Sequence, residues 1–184
     1  IADVEARYAP HAYQMCVEAN ASSLGRASLF DFRDVFLRYP AIFHAVRSGI
    51  VGSELDALAA ARALVPYWYH YGPATDGVSC FAQVESAGAL NAPQDRHLLG
   101  VLLWLSGRLP EAQATYSKVL PQLNPSEDFD LWFKANLNSA QIAGTLGQIE
   151  TALELTKRLV EVSEENGLAA NALHARVQKA RLLL

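Results

Sequence analysis

The residues able to do chemistry are few and scattered. Gly72 to Gly77, GPATDG, has the glycine spacing of a phosphate-cradling loop, but Val78 and Ser79 stand where a Lys and a Ser or Thr would be needed. Without that lysine nothing answers the charge of the β- and γ-phosphates, so the segment is expected to be the turn of a helix pair. Five histidines, His11, His44, His70, His97 and His174, fall on different expected helices, with no HExxH pair and no close cysteine. A metal site needs ligands that converge, and this pattern supplies none. Cys80 lies beside Ser79 and Phe81 with no base in local sequence reach, so it is expected to act as a small buried hydrophobe. Glu111, Glu127, Asp128 and Glu150 sit at expected helix starts, where a carboxylate complements the positive end of the helix dipole. The inventory leads us to expect no cofactor, no metal and no catalytic set, and therefore a non-enzymatic chain.

The oddest local feature is the run Pro66-Tyr67-Trp68-Tyr69-His70-Tyr71. At about 3.6 residues per turn, Tyr67, Trp68 and Tyr71 share one side of a helix while Tyr69 and His70 point elsewhere. Such a run cannot all be packed inward. Part of it is expected between neighbouring helices and part along a binding surface, because Tyr and Trp suit anchors that are half wet.

Those residues need a scaffold, and composition indicates which kind. The chain has 184 residues, 51% hydrophobic and 18% charged, which is enough apolar material for a core and too little charge for a disordered segment. Ala and Leu outnumber the β-branched residues, so the fold class expected is all-α. With 15 Lys+Arg against 19 Asp+Glu the net charge is −4, and no basic stripe is present to neutralise a row of phosphates; direct nucleic-acid binding is not expected. Cys16 and Cys80 lack a CxxC spacing and suggest free thiols in a reducing compartment, hence a cytoplasmic location. Asp3, Glu5 and Arg7 interrupt any signal-peptide core, and the apolar run from Leu98 to Leu105 is too short to span a bilayer, so no membrane partner is expected. The chain opens on Ile1 and closes on Arg181-Leu182-Leu183-Leu184, an apolar end that needs covering, which suggests a segment of a longer protein.

A repeat organises the rest. Aligned on Gly72, Gly107 and Gly147, the chain shows a small residue five positions later (Gly77, Ala112, Ala152) and then, four further on, Phe81, Tyr116 and Thr156. Seven positions before the glycines lie Val65, Gly100 and Ala140, and four before them Trp68, Leu103 and Ala143. The intervals, about 35 and about 40 residues, are those of stacked helix pairs. Small residues let two helices approach and a large one fills the hole beside them. The glycine is expected where the first helix ends, in the left-handed conformation that closes a helix without a Cβ clash. Pro110 suits the first turn of the next helix, and Ser126 before Glu127 and Asp128 suits another helix start.

Helices are expected near 2–21, 28–38, 40–49, 53–71, 76–88, 93–106, 110–122, 127–146, 148–165 and 168–183, with Pro10 and Pro66 kinking or dividing theirs. The organisation expected is 1–52 as N-terminal helices forming a degenerate repeat, then 53–184 as repeats at 53–91, 92–125 and 126–166 with a half repeat at 167–184.

The stretch HLLGVLLWLSGRLPEAQATYSKVLPQLNP resembles the tetratricopeptide repeat through Leu99-Gly100, Leu103, Gly107, Ala112, Tyr116 and Pro125. The next, LNSAQIAGTLGQIETALELTKRLVEV, keeps Ala140, Gly147 and Ala152 and has Thr156 in the aromatic place, while ARALVPYWYHYGPATDGVSCFAQV keeps only the frame of Gly72, Gly77 and Phe81. Further upstream, YAPHAYQMCVEA, DFRDVFLRYPAIFHAVRSGI and LDALAAARALVPYWYHYG resemble the region that follows the ATPase in bacterial signal-transduction ATPases, among them large LuxR-type and AfsR-type transcriptional regulators; Phe30-Asp31-Phe32 and Arg33-Asp34 depart from the acid-rich run usual there.

The resemblance implies a right-handed superhelical array (an α-α superhelix) of antiparallel helix pairs whose first helices line a concave groove. Groove-facing candidates in that phase are Arg62 and Tyr69, then Gln94, His97 and Trp104, then Lys134 and Gln141, then His174 and Arg181. Their mixture of cationic, amide and aromatic groups would suit a peptide with an acidic or C-terminal carboxylate feature. The function implied is a protein- or effector-binding module of a signalling ATPase or transcriptional regulator, with the ATPase and DNA-binding parts elsewhere in the parent protein. A stand-alone scaffold or chaperone-like adaptor using the same groove is the alternative, and an enzyme with a site assembled from distant helices a third reading.

Overall fold

A computed structural model describes residues 2–23, 33–51 and 56–183. Among them all regular structure is helical, with no strand. The helices are α1 (Ala2–Ser23), α2 (Arg33–Val51), α3 (Ala57–His70), α4 (Ala74–Ser86), α5 (Pro93–Leu105), α6 (Leu109–Val119), α7 (Phe129–Thr145), α8 (Ile149–Glu165) and α9 (Ala169–Arg181), with one 3-10 turn at Leu120–Gln122. The chain forms two compact units, Ile1–Asn91 and Ala92–Leu184.

In the first unit α1 packs along α2, α3 along α4, and α3 also touches α1 and α2. The expected break between 28–38 and 40–49 does not occur. Residues 28–32 lie outside the described residues, and from Arg33 a single helix runs through Pro40 to Val51. A proline inside a helix removes one backbone hydrogen bond and crowds the preceding turn. Here Tyr39 on one side of it and Ile42, Ala45 and Val46 on the other are buried, and their burial holds the helix together across the defect. Pro10 in α1 and Pro66 in α3 likewise leave their helices undivided. Asp56 starts α3 by accepting the Ala59 N–H at 2.6 Å.

In the second unit α5 packs on α6, α7 on α8 and α8 on α9; α7 also rests on α5 and α6, and α9 on α7. Three connections in it close with the same pair of hydrogen bonds. After α5, the Gly107 N–H reaches the Trp104 carbonyl and the Arg108 N–H the Leu103 carbonyl, at 3.0 and 2.9 Å; after α7, Gly147 and Gln148 do the same to Gly144 and Ala143, and after α8, Gly167 and Leu168 to Glu164 and Ser163. Gly107 and Gly147 have φ of 76° and Gly167 of 70°, the left-handed conformation this double closure requires. Gly72 does not share it, contrary to expectation. Its N–H bonds to the Tyr67 carbonyl and it lies under the Tyr67 ring, which a Cβ would approach to 2.7 Å. In the first unit Gly88, at the end of α4, carries the positive φ, and it and Ala89 make the same two bonds to Glu85 and Val84.

The repeat frame is visible in burial. Val65, Trp68, Gly77 and Phe81 are buried, as are Gly100, Leu103, Ala112 and Tyr116, and Ala140, Ala143, Ala152 and Thr156. A Cβ on Gly100 would lie 2.8 Å from the Tyr116 ring, so that ring occupies the space a side chain would take. In the next pair Ala140 and Thr156 hold these places, a larger residue matched with a smaller one. The Thr156 hydroxyl is satisfied by the Ala152 carbonyl at 3.0 Å. Helix α7 begins at Phe129 with Asp128 as its cap, accepting the Leu131 N–H at 3.0 Å; Ser126 belongs to the preceding turn, where its N–H meets Asn124 Oδ1.

Candidate functional site

The nine groove candidates divide between the units. Arg62 and Tyr69 stand on α3 in the first unit, both exposed. Tyr67 and Trp68 are buried, Tyr71 is half-buried and His70 exposed, so the aromatic run splits by helical phase into a packed and a solvent-facing set. The Tyr69 ring meets the His70 ring edge-on at 4.8 Å.

The other seven lie on α5, α7 and α9. Gln94, Lys134, His174 and Arg181 are exposed, and Trp104 and Gln141 half-buried. His97 differs from these: only 8% of it is accessible, and Tyr116 Oη lies 3.3 Å from its Nδ1. The Tyr116 oxygen in turn accepts from Asn138 Nδ2 at 3.1 Å. Burial, and then the nearby Lys134 ammonium, push His97 down to about 4 against a smaller upward pull from Asp130. His97 is therefore neutral at neutral pH and engaged with the core, contrary to a freely groove-facing imidazole. Lys134 reaches back to Asp130 at 2.6 Å on the surface. The His174 ring lies 6.1 Å from the Phe133 ring, which carries it against α7. Within this unit the first helices of successive pairs thus present amide, ammonium, imidazole, guanidinium and indole groups on adjoining elements.

A polar cluster in the first unit was not visible in the sequence. Trp68 Nε1–H donates to the Tyr39 oxygen at 2.8 Å, and the Tyr39 hydroxyl donates to Asp76 Oδ2 at 2.7 Å. The Tyr39 ring stacks on Tyr67 with centroids 4.5 Å apart. Burial, and then the hydrogen bond to Asp76, push the Tyr39 hydroxyl well above the usual phenol range. The cluster joins α2, α3 and α4. Its only sequence signal is an acid in the first turn of α4, which resembles an ordinary dipole partner.

The cysteines are buried free thiols, each pushed up to about 12 by desolvation, so neither is a poised nucleophile. The loop from Gly72 turns directly into α4. Among the described residues no three His, Cys, Asp or Glu side chains gather as a metal site would require. No helix among them is long and apolar enough to cross a membrane.

Against known proteins, no family model, no curated protein and no solved structure matches this chain.

Proposed function

We propose that this chain is a non-catalytic recognition module, a right-handed superhelical array of tetratricopeptide-like pairs in which residues 53–184 form the repeats behind N-terminal helices at 1–52. It binds a protein, a peptide segment or a small effector along the first helices, and belongs to a bacterial signalling ATPase or transcriptional regulator. The observation that carries this reading is the recurrence in the second unit: the same double closure at Gly107 and Gly147, the same buried frame in α5–α6 and α7–α8, and α7 resting on both α5 and α6 as α9 rests on both α7 and α8. Pairs built so spend their apolar residues on one another and leave the polar groups of the first helices to meet a ligand.

The test is titration of the chain with peptides ending in a free carboxylate and with the same peptides amidated. Free-acid peptides are expected to bind, and Lys134→Glu or Trp104→Ala to weaken them about tenfold or more, while Lys157→Ala on the far helix of its pair leaves them unchanged. Ligands indifferent to both groove changes would sink the groove. The regulatory assignment is checked separately, by reading the coding sequence on either side for a phosphate-binding loop; a parent protein without one would leave a scaffold or adaptor.

A further inference from the structure

We propose that the outer face of α9 is a docking surface for an amphipathic helix of a partner protein, whose apolar stripe is bordered on both sides by carboxylates. The inner side of α9 is used: Ala172 and Ala175 are buried, and Ala175 joins the core made by Trp132, Phe133 and Leu159. The outer side is apolar and open. Leu173 is 61% and Val177 43% accessible, and at about 3.6 residues per turn they line up with Ala169 and Ala180 along the exposed side.

Charge decides which occupant fits. Arg176 borders this stripe on one edge, and His174 and Arg181 on the other. From Leu168 to Leu184 there is no Asp or Glu, and the cation with a nearby carboxylate, Arg176, takes it from Glu164 of α8. A helix carrying acids on both flanks of its own apolar stripe would meet a guanidinium at each edge, and such complementarity selects both partner and register. A second copy of this chain fits poorly through the same face, because two α9 faces would oppose arginine to arginine. A lipid surface fits poorly too, because the stripe has no aromatic residue and two of its four positions are alanine.

The probe is a labelled synthetic helix of about five turns, leucines on one side and glutamates on both flanks, followed by anisotropy against the native chain. Its lysine-flanked counterpart is the control. The glutamate helix is expected to bind, to weaken as salt is raised, and to lose about tenfold or more in affinity on Leu173→Glu, Val177→Glu or Arg176→Glu. All three positions are exposed, and unchanged circular dichroism and unfolding midpoint establish that the variants fold. Equal binding of the lysine helix, or glutamate-helix binding that ignores these changes, would overturn the proposal. So would self-association or sedimentation with anionic vesicles that Leu173→Glu abolishes, since the occupant would then be a second copy or a membrane. His174 and Arg181 border both this stripe and the proposed groove, so the two sites are told apart at groove residues off α9: Trp104→Ala and Lys134→Ala must leave this binding unchanged.

Discussion

The Tyr116 ring stands where a Cβ on Gly100 would be, 2.8 Å from that position, with its oxygen held between His97 and Asn138. A ring tied at its far end cannot swing aside. Gly100→Ala is therefore expected to cost roughly 1–3 kcal/mol through overpacking, read as a lower urea midpoint. Gly107→Ala meets open space but a left-handed backbone, and should cost about 1 kcal/mol. A neutral Gly100→Ala would show that the ring is not held.

Removing one oxygen tests the cluster in the other unit. Tyr39→Phe leaves the buried Trp68 N–H without its acceptor and Asp76 without its donor, at an expected cost of roughly 1–3 kcal/mol. Equilibrium unfolding followed through tryptophan fluorescence measures it. A loss within about 0.3 kcal/mol would mean that water replaces the hydroxyl without penalty.

The buried imidazole gives a pH dependence whose sign is fixed. His97 is held at about 4 in the folded chain, below its ordinary 6.5, so the unfolded chain binds more protons between those values. Its contribution is fully present above pH 6.5, is lost as the pH falls toward 4, and levels off below. Relative to His97→Gln, the wild-type chain should lose on the order of 2–3 kcal/mol across that window. Parallel stability curves for the two chains would refute the assignment.

Cys16 and Cys80, buried and pushed up to about 12, should resist alkylation at neutral pH in the folded chain and react rapidly in denaturant. Mass spectrometry of iodoacetamide-treated samples distinguishes the two. Fast modification of either thiol in the native chain would contradict its burial.

How legible the molecule is in its sequence depends on distance along the chain. The frame positions around Gly107 and Gly147 are local, and a period of small and large residues points to their burial directly. Pro40 misleads because a local rule about proline competes with the burial of Tyr39, Ile42 and Val46, which only the neighbouring helices supply. Gly72 misleads differently: alignment finds its place in the frame, but its N–H turns to the Tyr67 carbonyl and the Tyr67 ring fills the space a Cβ would take. The Tyr39–Asp76 bond joins residues 37 apart, and Trp68 lies 29 from Tyr39. No spacing rule reaches that far. His97 was in phase for the groove, yet the phase of a helix residue does not reveal that Tyr116 will cover it.

The closures at Gly107 and Gly147 bear on how such a chain can lengthen. The stretch from Arg108 through Gly147 begins just after one closure and ends on the other, so its two ends share a single backbone geometry. Copied in tandem, it would meet its neighbour through a closure of the kind already present. Lengthening this unit by such a copy would call for no new kind of helix ending, since the same one stands at both edges of the copied piece.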